Sequence, residues 1–317
     1  MKIIPVIFIG CFFFFACKKS NTDPPKTPTL PAVDTLMSWT KSTRLFGNVE
    51  DIWFRSSGIG FLVDDTSIYT SADRGVTWTI IPNTTGSNAF NLQFLNDELG
   101  FAQSSSTIEV TTDGGQTWTL KQLNAANMIY SQFVSEETGF YADPNTGIFK
   151  TIDGGNTWTQ LIGYQWANES FPFYFIDSLR GFTMADNNFS KTTDGGTHWQ
   201  VVASTIVPSL YSYYSKLEMF DSLAGFYSSA YGILKTIDGG KTWVNTLPID
   251  NRFSLFQFID RNNGFGVIDN SIFKTTDGGE TWIRSCKLGT DSFSGIHFLD
   301  MDHGWASTFG GYILTLN

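Results

Sequence analysis

The segment "KTIDGGKTWVNT", Lys235–Thr246, decides the fold. It sets an acidic Asp-Gly-Gly turn directly before a Trp. Five further segments do the same: "TSADRGVTWTII", "VTTDGGQTWTLK", "KTIDGGNTWTQL", "KTTDGGTHWQVV" and "KTTDGGETWIRS". The shared carboxylates are Asp73, Asp113, Asp153, Asp194, Asp238 and Asp277, in steps of 40, 40, 41, 44 and 39 residues. A period near 40 is a statement about architecture before it is one about chemistry. Asp-Gly-Gly between apolar runs reads as a hairpin, because glycine accepts positive φ and Asp bonds local backbone amides.

A second clock runs out of phase with the first. Gly-Phe or Gly-Trp recurs at Gly60-Phe61, Gly100-Phe101, Gly139-Phe140, Gly181-Phe182, Gly225-Phe226, Gly264-Phe265 and Gly304-Trp305. Each unit therefore reads as an apolar run, a polar turn with its GF pair, a short strand, a small-residue loop, a strand entering the Asp turn, and a closing "TWT" strand. Continuous runs such as Phe171–Ile176 suit a strand buried on both faces, while "TWTLKQL" alternates as a half-exposed outer strand does. Four short strands repeated every 40 residues describe a propeller blade.

Seven GF pairs stand against six Asp turns, and the mismatch is informative. The chain stops at Asn317, where a seventh Asp turn would begin, whereas "MSWTKSTRL" around Trp39 and Thr40 resembles a "TWT" strand with no blade of its own. The expected fold is all-β: a seven-bladed β-propeller over residues 36–317, with an N-terminal strand closing the last blade. Closure of that kind removes a free sheet edge.

The motif Ser/Thr-x-Asp-x-Gly-x-x-Trp resembles the Asp-box, or BNR, repeat of sialidases and sortilin-type receptors. In spacing and in its GF element the chain is most similar to the Ycf48/HCF136-like photosystem II assembly factor repeat, from about Asp34 to Asn317. That resemblance implies a scaffold or assembly factor for a membrane complex. The motif itself is shared by unrelated functions and is nearly silent on activity.

The N-terminus is a separate object. "MKIIPVIFIGCFFFFACKKS" carries one Lys and then an apolar run from Ile3 to Ala16, the length of a signal-peptide core. "FFAC", Phe14–Cys17, resembles a bacterial lipobox, with Phe14 where Leu is usual, and implies lipidation at Cys17. Residues 1–16 are thus expected to be a lipoprotein signal peptide and residues 17–35, with prolines from Pro24 to Pro31, a stiff tether. The expected location is the cell envelope, lipid-anchored at the outer membrane, with the body in the periplasm or at the surface. Acyl chains anchor without spanning.

Composition narrows the chemistry. The net charge of −10 disfavours nucleic acid, which needs clustered Lys and Arg. Three cysteines, two of them before residue 18, give neither a disulfide framework nor a metal pair, and Cys286 reads as a small core residue. The six Asp-box carboxylates stand one per blade, so no two share a substrate or ion, and they read as structural turn groups. No metal or other cofactor is expected. A sialidase would need an arginine triad and an Arg-Ile-Pro motif; the latter is absent. His198, His297 and His303 are scattered over two turns and an inner strand.

A partner is expected at the links from each outer strand to the next inner strand, which vary most. "IGYQWANESFPF" presents Tyr164, Trp166, Asn168 and Glu169; "VPSLYSYYSK" presents Tyr211 and Tyr213; "LPIDNRFS" presents Asn251 and Arg252. Tyr, Trp and Arg dominate binding hot spots. The expected ligand is an envelope protein or peptide, with a glycan as the second choice. The rival class is a carbohydrate-active hydrolase or lyase, which needs two carboxylates facing across a cleft, for which Glu169, Asp250 and Asp291 are the candidates. Nothing in the sequence decides the oligomeric state.

Overall fold

The computed structural model describes residues 38–42, 44, 47–82, 89–123, 128, 130–143, 145–161, 172–185, 188–204, 216–229, 232–246 and 253–316. These form seven four-stranded antiparallel sheets, the blades of a β-propeller, in sequence order around the ring. Blade 1 is typical: inner strand Val49–Phe54, then Gly60–Asp64 and Ile68–Ser71, with outer strand Thr79–Ile80. Blade 7 is assembled from both ends of the chain. Its strands Phe293–Phe298, Gly304–Thr308 and Ile313–Leu316 are completed by Trp39–Lys41, with Trp39 opposite Leu316 and Lys41 opposite Leu314. The ring closes as the count of seven against six requires.

What holds one blade to the next is a repeated ring stack. Each inner strand ends in a large apolar residue: Phe54, Phe94, Phe133, Phe175, Met219, Phe258 or Phe298. Six residues later comes the glycine of the GF pair. That side chain folds back over the glycine, and a Cβ there would collide with it in every blade, so the position excludes any side chain. The aromatic after the glycine then stacks on the terminal ring of the following blade. Phe101 lies on Phe133 at 3.6 Å, Phe140 on Phe175 at 3.5 Å, Phe226 on Phe258 at 3.6 Å and Phe265 on Phe298 at 3.6 Å. Trp305 of blade 7 lies on Phe54 of blade 1 at 3.7 Å, carrying the same stack across the closure. Each such pair contributes about 0.5–1.5 kcal/mol beyond its buried area.

The blade Trp meets this stack edge-on. Trp78, Trp158, Trp199 and Trp282 stand T-shaped to Phe54, Phe133, Phe175 and Phe258 at 5.7–6.0 Å. In blade 7 the place is taken by Trp39, T-shaped to Phe298 at 6.0 Å. Its indole N–H donates to Ser285 Oγ at 2.8 Å. Cys286 is a free, half-buried thiol on the outer strand of blade 6. Replacing Trp39 by Ala removes both the edge contact and the only aromatic of the closing strand. It is expected to cost about 2–3 kcal/mol in a urea melt; an unchanged midpoint would mean the closing strand is held by its backbone pairing alone.

Candidate functional site

The Asp boxes come first, because six carboxylates invite a catalytic reading. Each is consumed by its own turn. In blade 2, Thr111 Oγ1 donates to Asp113 Oδ1 at 2.9 Å and accepts the Gly115 amide at 2.7 Å. Asp113 Oδ1 also accepts the Thr117 amide at 2.9 Å, and Oδ2 accepts the Thr117 hydroxyl at 2.5 Å. The same set recurs around Asp73, Asp153, Asp238 and Asp277. In blade 4, His198 replaces that Thr and its Nδ1 lies 2.7 Å from Asp194 Oδ2. The Thr77 and Thr117 hydroxyls and amides hold Asp73 and Asp113 down at about 2, a carboxylate locked in its charged form. These groups are turn masonry, one per blade, and no proton traffic near neutral pH passes through them.

The Asp turn and the GF turn of a blade share one face of the ring. The Gly114 amide donates to Glu98 O, Gly195 to Leu179 O and Gly278 to Asn262 O, each at 2.8 Å. Propeller inner strands surround a central channel, and just before the terminal residue of each stands Trp53, Gln93, Gln132, Tyr174, Glu218, Gln257 or His297. The three glutamines act as surrogate backbone. Gln93 Nε2 donates to Phe133 O at 2.8 Å while its Oε1 accepts the Phe133 amide at 2.9 Å. Gln132 does this to Phe175, and Gln257 to Phe298. Sequence reasoning missed this bridge. Its signal is visible in retrospect as "QF" six residues ahead of the GF glycine, in "LQFLNDELGF", "SQFVSEETGF" and "FQFIDRNNGF".

At the other seams the channel residue changes. Glu218 takes the glutamine place in blade 5. It accepts a backbone hydrogen bond from Phe258, but its Oε2 has no hydrogen-bond partner and lies 3.8 Å from Lys216 Nζ. Burial pushes this carboxyl up, against the pull of Lys216. Lys216 Nζ itself donates to Phe256 O at 2.9 Å. Asp51, on the inner strand of blade 1, accepts the Ile52 and Leu92 amides, both at 2.8 Å. Burial nonetheless raises its carboxyl to about 7. His297 packs on Trp53 with ring centroids 4.3 Å apart, and burial lowers it to about 4, so it is neutral at pH 7.

At the Asp-box mouth of the channel lies an open recess of about 380 Å³, between the inner-strand ends of blades 6, 7, 1 and 2. Its lining mixes apolar groups, Trp53, Phe94, Ile259 and Leu299, with polar ones, His297, Arg55, Asn96 and Asp97. This is the size of a small-ligand site. It contains none of the link residues singled out in the sequence. Tyr164, Trp166, Asn168, Glu169, Tyr211, Tyr213, Asn251 and Arg252 lie outside the described residues, as does Cys17. Of the carboxylates considered for hydrolysis, Glu169 and Asp250 also lie outside them. Asp291 is described, and its Oδ1 accepts the Ser292 and Gly310 amides at 3.0 and 3.1 Å, pinning two loops of blade 7. Among the described residues no group of three or more His, Cys, Asp or Glu is placed to hold a metal ion.

Frame and turns together define a seven-bladed propeller built on Asp-box repeats. A model of the BNR/Asp-box repeat matches residues 109–120, the turn of blade 2. Among solved structures, YCF48 bound to D1 peptide matches with a TM-score of 0.70 at 18% identity, over 90% of this chain and 99% of that one. Virginiamycin B lyase from Staphylococcus aureus matches with 0.70 at 12% identity, over 89% and 99%. The GH74 xyloglucanase from Xanthomonas campestris matches with 0.63 at 11% identity, over 87% of this chain and 53% of that one. At these identities the likeness is one of fold. No curated protein sequence matches the chain.

The Glu218 seam yields a signed test. An acid whose folded pKa lies above its unfolded value stabilises at low pH, and that contribution is lost as pH rises through the folded value. Protonated, Glu218 has the donor that Gln257 uses; ionised, it has none. Glu218→Gln is therefore expected to stabilise the protein by about 1–3 kcal/mol at pH 8. The gain should shrink toward zero at pH 4.5 in parallel denaturant melts, and a gain independent of pH would refute the protonation account.

Proposed function

We propose that this protein is a non-catalytic envelope lipoprotein whose propeller holds a protein or peptide segment, in a scaffold or assembly role. The observation that carries this reading is the division of labour within the chain. Residues that recur from blade to blade are spent on holding the ring together, in stacks, glycine contacts, Asp boxes and amide bridges. The links between blades share no such pattern, and the one before blade 5, rich in Tyr, accounts for the 44-residue step. A rigid frame with variable, aromatic-rich links suits recognition, because ordered scaffolds lower the entropy cost of binding. The structure titled YCF48 bound to D1 peptide, on a similar frame, supports a peptide as the ligand class. The signal core and lipobox-like "FFAC" support attachment through Cys17.

One observation favours a carbohydrate-active alternative: Asp51 is held up to about 7, where a general acid works best. Its two accepted amide hydrogen bonds tie it into the blade 1–2 seam, which favours the binding reading.

Two expected outcomes follow. Trp166→Ala with Tyr211→Ala should abolish co-purification of an envelope partner cross-linked in intact cells while leaving the melting curve unchanged; undiminished recovery would sink the assignment of the link face. Cys17→Ser should move the protein from the membrane to the soluble fraction, and retention of the variant in membranes would argue against the lipid anchor.

A further inference from the structure

Arg55 supplies a cation that two other seams draw from a lysine. In blades 3 and 5 the residue paired opposite the GF aromatic is a third-strand lysine: Lys150 opposite Phe140 and Lys235 opposite Phe226. Each ammonium lies over that ring, at 5.5 and 5.8 Å. Lys150 Nζ also reaches across the seam to donate to Ser178 O at 3.1 Å. Blade 1 has Thr70 opposite Phe61, and its hydroxyl turns to Gly60 O instead. The cation at this seam comes from elsewhere. Arg55, just past the inner strand, lays its guanidinium over Phe61 at 5.1 Å and over Phe94 of the next blade at 4.8 Å.

The substitute lacks the partners that its position would give it. The Arg55 side chain is 8% exposed, yet Nε and Nη2 make no hydrogen bond. The nearby carboxylate, Asp97 Oδ1, stands 3.9 Å from Nε, beyond hydrogen-bond reach, on a side chain that is 81% exposed. A buried, under-neutralised guanidinium is costly, and a planar carboxylate is the group its fork best accommodates. Arg55 borders the recess at the channel mouth, whose other walls include Trp53, Phe94 and Leu299. We propose that this recess is a binding site for an apolar-bodied carboxylate, the carboxylate on Arg55 and the body against Trp53. A doubly charged phosphate fits less well, since a single arginine faces it in a chain of net charge −10. Asp97 stands on the approach to Nε, so a ligand carboxylate competes with it.

The site shares no residue with the links, so failure of the Trp166 and Tyr211 test leaves it standing, and its own test is separate. The probes are N-acetyl-phenylalanylalanine with a free carboxylate, its C-terminal amide, and the amide of N-acetyl-phenylalanylglutamate, titrated calorimetrically at pH 7 and low ionic strength. The free acid is expected to bind the wild-type protein at least tenfold more tightly than its amide. Arg55→Lys, which restores the cation type used in blades 3 and 5, should keep the melting temperature and weaken acid binding at least fivefold. Asp97→Asn should tighten it severalfold. Binding of the glutamate probe as tight as the free acid would support a side chain as the carboxylate source; binding of the terminal acid alone would support a chain terminus. No measurable binding of either acid, equal binding of acid and amide, or inorganic phosphate displacing the acid at equal concentration would overturn the proposal. Should Arg55→Lys fail to fold, an unchanged affinity in Asp97→Asn would overturn it by itself.

Discussion

The structure depends on a ring folded over a glycine. When Phe258 lies back across Gly264, the space a Cβ would occupy is filled, and Phe265 is left free to face the next blade. One local contact thus fixes the bend of the first hairpin and aims the aromatic that makes the seam. Repeated around the circle, it turns seven weakly stable four-stranded sheets, none able to bury its faces alone, into one body. Phe54, Phe61, Phe133, Phe140, Phe175, Phe226 and Phe265 are all essentially inaccessible to solvent for this reason. Twelve of the 29 Phe are spent at these seams, six at inner-strand ends and six in GF pairs.

Because the seams do the stabilising, the Asp box is a secondary device. It holds the third-to-outer-strand turn against the first turn of the same blade, through amides such as Gly114 to Glu98 O. It also sets the Trp whose edge meets the stack. Blade 7 makes this hierarchy visible. It has no Asp box, yet Trp39 reaches the same T-shaped position against Phe298 from the far end of the chain. The stack and its edge contact are retained where the turn chemistry is dispensed with.

This explains what the sequence made legible. Two repeating clocks out of phase identify blades and their number, since each marks a turn that only certain residues can form. The leftover Trp39 was readable because a count of six against seven leaves one strand unaccounted for. The glutamine bridges were not read, although "QF" stands in register in blades 2, 3 and 6. Which side of an inner strand faces the axis depends on strand phase, and continuous apolar runs buried on both faces hide that phase. The recess was missed for a related reason. It is made by residues from blades 6, 7, 1 and 2 that are neighbours only once the ring closes, and it opens on the Asp-box face, which the repeat pattern marks as structural.

Departures from the seam pattern are not scattered at random. Where the channel residue is glutamine, as at Gln93, Gln132 and Gln257, the seam is satisfied on both strands and chemically silent. Where it is not, a group with unspent capacity is left. Met219 in place of Phe lets Phe189 of the preceding blade reach Trp243 at 5.1 Å, a repair that uses apolar surface only. Glu218, one residue earlier, leaves an oxygen without a donor. The pairing of Trp53 with His297 replaces amide bridges by rings across the 7–1 closure, and at the adjoining 1–2 seam Arg55 stands in for a lysine. A repeat protein can change residues at little cost only where a seam has other support, and the closure has a stack, Trp305 on Phe54, and an indole bond, Trp305 Nε1 to Arg74 O at 2.9 Å. Trp53 and His297 present ring faces at the closure while Arg55 keeps unpaired N–H groups at the adjoining 1–2 seam, and the recess lies over these two junctions, where an apolar surface and an unspent cation stand side by side.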